Sequence, residues 1–316
     1  MIFETGNAQM KTPLTGIIPP MVTPLRDHDE LDVAGLERLV GRMLDGGVNG
    51  LFVLGTTGEG PSLSYRLRRE LVERVCRQAK NRVPVLVGIT DTAFVESINV
   101  ARHAAEAGAD AVVAAPPYYL PEAQPELREY LDHLVPELPL PLYLYNLPAL
   151  TKVSFELETV RHAMDVSRIV GLKDSSGNLD YFKRVAGLLK QRPDWSLLIG
   201  PEELLLESIS AGGLGGVSGG ANLFPKLYVE LFQAARAGNL ARARELQSQV
   251  LRISRSLYRI GRHSSSIIKG IKCALACLGI CGDFMAEPFH RFRAEERALV
   301  ENRLREISAD LEKLKL

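Results

Sequence analysis

The run Ile169-Val170-Gly171-Leu172-Lys173-Asp174-Ser175-Ser176 sets apolar residues side by side and then presents an amine. A strand with one wet face alternates apolar with polar residues. A strand without alternation is covered on both faces, as in a parallel sheet flanked by helices. Seven further runs of this kind occupy 15–22, 50–54, 83–89, 111–115, 142–145, 197–200 and 215–218. Between them, segments 32–44, 66–80, 93–107, 124–135, 179–189 and 202–211 carry apolar residues at helical spacing. Gly46 and Gly108 stand where such helices stop. Eight βα units predict an α/β fold, a (β/α)8 TIM barrel, for which about 250 residues is usual. The competing doubly wound sheet needs a glycine-rich dinucleotide turn after its first strand, and Pro24-Leu25-Arg26-Asp27 stands there instead. Beyond Pro225 only helical spacing remains, over 227–238, 240–260, 264–278 and 294–314. The expected division is a barrel carrying the active site, residues 14–236, and a C-terminal helical subdomain, residues 237–316, packed on it.

The bulk of the chain narrows the function. Its 316 residues are 46% hydrophobic, enough for a large core. Lys+Arg and Asp+Glu both number 38, so the net charge is zero and the basic footprint of a nucleic-acid binder is missing. No apolar run approaches the roughly 18 residues of a membrane span. Residues 1–13 lack the charged-then-apolar order of a secretion signal, so a cytoplasmic protein is expected. Cys273, Cys277 and Cys281 recur every four residues with no interleaved His or acid, which suits helix packing better than a metal. Arg252, Arg255, Arg259 and Arg262 read as a solvated or interface stripe.

In a barrel, reactive groups sit at strand C-termini and on the loops that follow. Lys173 ends the sixth strand. An ammonium is almost never fully buried without a partner, so this amine is either a strand-end lysine that reaches water or Asp174, or a depressed-pKa nucleophile. The second strand ends in Gly55-Thr56-Thr57-Gly58-Glu59, where glycines let backbone amides and two hydroxyls approach a carboxylate. Tyr119 follows the fourth strand and Tyr145 ends the fifth. Gly200-Pro201-Glu202-Glu203 follows the seventh and Gly219 the eighth. A carboxylate cradle, a phenol and a buried amine at one barrel end suit Schiff-base chemistry on a 2-oxo acid. The lysine condenses with the ketone, the Thr-Thr turn holds the neighbouring carboxylate, and the iminium stabilises a carbanion at C3.

These segments resemble those of the pyruvate-dependent class I aldolase superfamily of dihydrodipicolinate synthase and N-acetylneuraminate lyase. Gly55-Thr56-Thr57-Gly58-Glu59, Tyr145-Asn146-Leu147-Pro148 and Gly171-Leu172-Lys173-Asp174 follow in the family's order. The resemblance implies that Lys173 forms the Schiff base, that Tyr145 is the general acid/base, and that Thr56 and Thr57 bind the pyruvyl carboxylate, with Thr57 also in a proton relay. It implies that Tyr119 reaches a neighbouring subunit's site and that the protein is a homo-oligomer, a dimer or tetramer. The synthases carry an arginine five residues after the catalytic tyrosine, where this chain has Leu150; Pro148-Ala149-Leu150 is closer to the neuraminate lyases. Those lyases bind sugar hydroxyls with acids that would fall on Glu202 and Glu203, beside Gly200, with Gly219 on the facing rim.

The expected function is therefore a pyruvate-dependent lyase or aldolase acting on a 2-oxo-3-deoxy sugar acid, with no metal or nucleotide cofactor and with only small-molecule substrates as ligands. The second reading is a dihydrodipicolinate synthase condensing pyruvate with aspartate semialdehyde. The third is a non-catalytic barrel that binds a 2-oxo acid. A dehydratase using the same Schiff base is also open.

Overall fold

The computed structural model describes residues 13–80, 82–261, 263–314 and 316. Arg262 and nearly all of the N-terminal segment read above lie outside the described residues.

The eight apolar runs form one sheet of parallel strands. In chain order its members are β1 (Gly16–Ile17), β4 (Leu51–Val53), β5 (Val85–Gly88), β6 (Ala111–Ala114), β7 (Leu142–Asn146), β8 (Ile169–Asp174), β9 (Ser196–Ile199) and β10 (Gly215–Gly216). β1 pairs with β10, and a parallel bridge between Pro20 and Phe52 joins the other edge, closing the sheet into a TIM barrel. A small antiparallel hairpin, β2 (Leu25–Asp27) and β3 (Glu30–Leu31), sits outside the barrel. It begins in the Pro24-Leu25-Arg26-Asp27 stretch, and its strands of three and two residues are too short to show as apolar runs.

The helices that cover the barrel are α1 (Val33–Asp45), α2 (Tyr65–Ala79), α3 (Phe94–Glu106), α4 (Gln124–Glu137), the one-turn α5 (Pro148–Thr151), α6 (Leu157–Asp165), α7 (Leu179–Leu188), α8 (Leu205–Ser210) and α9 (Pro225–Arg236). α5 and α6 lie in a stretch with no sequence-based assignment, and the expected helix at 202–211 opens as a 3-10 turn, Glu202–Leu204, before α8. Asp32, Ser64 and Asn178 cap α1, α2 and α7 by accepting backbone N–H groups of the first turn. At the end of α1 the left-handed position belongs to Gly47, one residue past the glycine expected to stop the helix. Three longer helices follow the barrel: α10 (Leu240–Leu257), α11 (Ser266–Cys277) and α12 (Ala294–Lys313). α10 packs on α9 and on α12, and α11 on α12. No described helix is long and apolar enough to cross a membrane.

Two cores result. The larger fills the space between sheet and helices and takes outward residues of the strands, such as Leu142, Leu144, Ile169 and Leu172. Cys273 is buried in it and Cys277 packs at its edge, both on α11, while Cys281 is buried beyond the end of that helix, so the three do not share one helical stripe. The smaller fills the barrel interior with Ile18, Phe52, Val113, Tyr143, Tyr145 and Leu198. At the barrel's N-terminal end the Ser196 hydroxyl meets the Tyr143 phenol at 3.1 Å and accepts from the Leu14 amide at 2.8 Å, which seals that mouth.

Candidate active site

β7 and β8 bring the chemistry together by register. Tyr145 and Lys173 are direct cross-strand partners, as are Tyr143 and Gly171. The ladder slips between Leu142 and Tyr143, an irregularity of the bulge kind that re-aims side chains. Gly171 has no alternative: a Cβ there would lie 2.5 Å from the Tyr143 ring and 2.6 Å from the Ser196 carbonyl.

Lys173 is 6% exposed, and its amine packs on aromatic faces, 3.9 Å from the Tyr145 ring centroid and 4.9 Å from that of Phe52. These contacts lend cation–π stabilisation but replace little of the lost hydration. Burial therefore pushes the amine's pKa below its ordinary value, against an opposing pull from Tyr145. The Tyr145 phenol responds to its neighbours. Burial alone would raise its pKa, but the Lys173 charge and hydrogen bonds with Thr56, Lys173 and Ser175 outweigh it and lower the value. The Thr56 hydroxyl lies 3.3 Å from the phenol oxygen, which ties the turn after β4 to β7 beside the amine of β8.

Just beyond the strand tip, the residues after Lys173 are fixed. Asp174 accepts from Asn146 Nδ2 at 2.8 Å and from the Ser176 amide and hydroxyl at 3.0 Å, so it is engaged away from the amine. Burial raises its pKa. Ser175 was not singled out in the sequence. Its hydroxyl occupies the space that a side chain at Gly200 would need, so Gly200 serves close packing of β8 on β9.

The turn after β4 is wound tightly. Gly58 N–H donates to the Gly55 carbonyl and Glu59 N–H to the Thr56 carbonyl, each at 3.0 Å. A Cβ on Gly55 would strike the Phe52 ring at 2.7 Å. Among the described residues the amides of Thr56 and Thr57 have no acceptor, which leaves two adjacent donors at the rim. Glu59 takes a left-handed conformation, with φ 57°, and its carboxylate enters the interior. There Lys272 Nζ meets Oε1 at 2.5 Å, and the Ala286 amide donates to Oε2 at 2.7 Å. Lys272 carried no signal in the sequence, because a lysine on an amphipathic helix reads as solvent-facing; burial lowers its pKa while Glu59 raises it.

Other expected site residues lie apart. Glu202 is buried, but its Oε1 accepts from the phenols of Tyr228 (2.5 Å) and Tyr258 (2.8 Å) and its Oε2 from the Gly220 amide (2.8 Å). Those bonds join β9 to the loop after β10 and to α9 and α10, and they take up the lone pairs expected to receive sugar hydroxyls. Glu203 accepts from the Ser254 hydroxyl of α10. Gly219 packs between Ile271 and Glu202. Leu150, on α5, is 55% exposed. Tyr119 is 90% exposed at φ 87°, and within this chain it makes no contact with Lys173 or Tyr145.

The profile of the Dihydrodipicolinate synthetase family matches residues 13–307. The chain belongs to that family. It is accordingly an enzyme, a carbon–carbon lyase of the class I aldolase type. It is 32% identical over 297 residues to the 4-hydroxy-tetrahydrodipicolinate synthase of Methanopyrus kandleri, a match covering 93% of this chain and 96% of that one. It is equally, at 32% over 268 residues, similar to an Escherichia coli protein named Probable 2-dehydro-3-deoxy-D-pentonate aldolase YjhH, with 84% and 88% coverage. Among solved structures, dihydrodipicolinate synthase from Bacteroides thetaiotaomicron superposes with a TM-score of 0.92 at 53% identity, over 94% of this chain and 100% of that one. The Escherichia coli prophage protein YagE, solved in complex with pyruvate, gives 0.88 at 29% identity, over 94% and 99%.

Proposed function

We propose that Lys173 forms a Schiff base with pyruvate and that the chain then makes or breaks the C3–C4 bond of a 2-oxo-3-deoxy sugar acid. The observation that carries the first half is the buried amine packed on the Tyr145 and Phe52 rings, with the Tyr145 phenol 3.3 Å from the Thr56 hydroxyl of the turn after β4. The amine attacks C2 of the ketone. The oxygen takes one proton passed on from the attacking amine and one from Tyr145 and leaves as water, and the nitrogen lone pair closes the iminium. Loss of a C3 proton, or of an aldehyde from C3, then gives the enamine, whose electrons rest on that nitrogen. The Thr56 and Thr57 amides and hydroxyls hold the pyruvyl carboxylate, and Thr57 extends the relay. The iminium is itself the electron sink, so the step calls for no metal or nucleotide.

Leu150 carries the second half. It stands five residues past Tyr145 and offers a substrate carboxylate no bidentate partner. With Glu202 and Glu203 committed elsewhere, the neutral polyol half of the substrate would meet the rim around α5. The similarity to YjhH supports this class. The similarity to synthases supports the second reading, condensation with aspartate semialdehyde. Tyr119, Leu120, Phe94, Val95 and Leu150 expose apolar surface around the loops at this barrel end, which fits a second copy docking there and bringing its own Tyr119 to the site. A cytoplasmic, homo-oligomeric enzyme is the expected form.

Borohydride adds hydride to the iminium carbon and leaves a stable secondary amine. Treatment with pyruvate and borohydride followed by peptide mass analysis should mark Lys173, and an unmarked Lys173 ends the proposal. Pyruvate release from a panel of 2-oxo-3-deoxy sugar acids, run beside condensation with aspartate semialdehyde, separates the two readings. Turnover confined to the semialdehyde would overturn the sugar-acid one.

A further inference from the structure

Lys272 and Glu59 are 213 positions apart and form an ion pair with side chains 0% and 1% exposed. A buried pair of this kind costs more in lost hydration than an apolar pair filling the same space. Its use at this place is directional. The Glu59 carboxylate is held at both oxygens, by an ammonium from α11 and by the Ala286 amide beyond that helix. Glu59 is two residues past Thr57 and donates its own N–H to the Thr56 carbonyl, so fixing its side chain fixes the hydrogen-bonded turn that carries both threonines. The intervening Gly58 is held as well, its carbonyl accepting from the Thr23 hydroxyl at 2.6 Å. Glu59 also occupies a left-handed backbone conformation that a side chain other than glycine's adopts only when its surroundings impose it.

We propose that Lys272 is a positioning residue for pyruvate: through Glu59 it sets the Thr56-Thr57 turn that receives the substrate carboxylate, which makes α11 part of the active-site apparatus. This rests on the Schiff-base reading of Lys173. A shift of the turn weakens the grip on the carboxylate and leaves the amine chemistry at β8 untouched.

The test is borohydride trapping of Lys173 as a function of pyruvate concentration, on wild type, Lys272→Met and the double variant Glu59→Gln with Lys272→Met, with Tm measured in parallel. Lys272→Met leaves a lone buried carboxylate and should lower Tm. The double variant has no lone charge, so its Tm should recover most of that loss. Its half-saturating pyruvate should nevertheless stay raised by about tenfold or more, with the limiting trapping rate near wild type, because small misplacement of a binding group is costly. A double variant with wild-type half-saturation overturns the proposal and leaves the pair purely structural. A double variant whose limiting rate falls while half-saturation holds overturns it too. A wild type that does not trap brings down the Schiff-base reading, and this inference with it.

Discussion

At the scale of single residues, Lys173 is costly to fold and useful once folded. Its unfolded amine binds a proton that the buried native amine holds less tightly, so the native state gains stability as pH rises through the lowered pKa. Two outcomes follow. Lys173→Met should abolish trapping while raising Tm, an exchange of stability for function; a variant with lowered Tm would mean the amine stabilises the fold. The trapping rate of the wild type should climb with pH along a limb lying below that of an ordinary lysine, since only the neutral amine attacks. A limb at the usual lysine pKa would contradict burial as the controlling effect. Tyr145→Phe should slow turnover by about a hundredfold or more through loss of proton transfer, read as kcat against wild type. That Lys173, Tyr145 and Thr56 gather at one barrel end was legible in the sequence, because two stand at the ends of apolar strands and the third in the turn just after one. Glu202 misled for the same reason: its place after β9 is right for a ligand, but its orientation depends on Tyr228 and Tyr258, which arrive from distant helices.

Among elements, the strands were readable and the short pieces were not. A strand buried on both faces writes itself as an apolar run, which is why the boundaries of β4 to β9 fall within two residues of the sequence-based ones. β2 and β3 total five residues, and α5 four, too few for any period to show. α6 shows only two large apolar residues, Val160 and Met164, at helical spacing on its buried side, a weak period over nine residues. The slip between β7 and β8 is invisible in sequence, yet it decides which side of β8 the amine leaves. Gly171→Ala tests it. The added methyl has no room against Tyr143 and Ser196 and should cost about 1–3 kcal/mol of stability, as overpacked cores do. Because that strain bears on the residue two before the nucleophile, trapping should weaken together with stability. An unfolding curve matching wild type would show that the barrel interior yields more than its geometry suggests.

For the whole molecule, the eightfold alternation identified the barrel, but how its C-terminal helices attach depends on buried polar groups that no periodicity reports. Glu202 joins β9 to α9 and α10, and burial raises its pKa from 4.5 to about 7. The native state therefore holds this proton over a range where the unfolded chain has released it. The contribution is full below the unfolded value and is lost as pH rises through about 7, to the extent of about 3 kcal/mol. Asp174 acts in the same direction. Glu202→Gln should flatten the fall of Tm between pH 5 and 7, whatever constant offset the amide introduces; an unchanged slope would assign the effect to other groups. The seal of Leu14, Ser196 and Tyr143 at the far mouth has a kinetic consequence. A chamber with one door fills and empties in order. The ketone bonded deepest must enter first and leave last, so in cleavage the aldehyde departs while pyruvate is still attached. Pyruvate should then inhibit competitively against the substrate being cleaved, and the aldehyde should not.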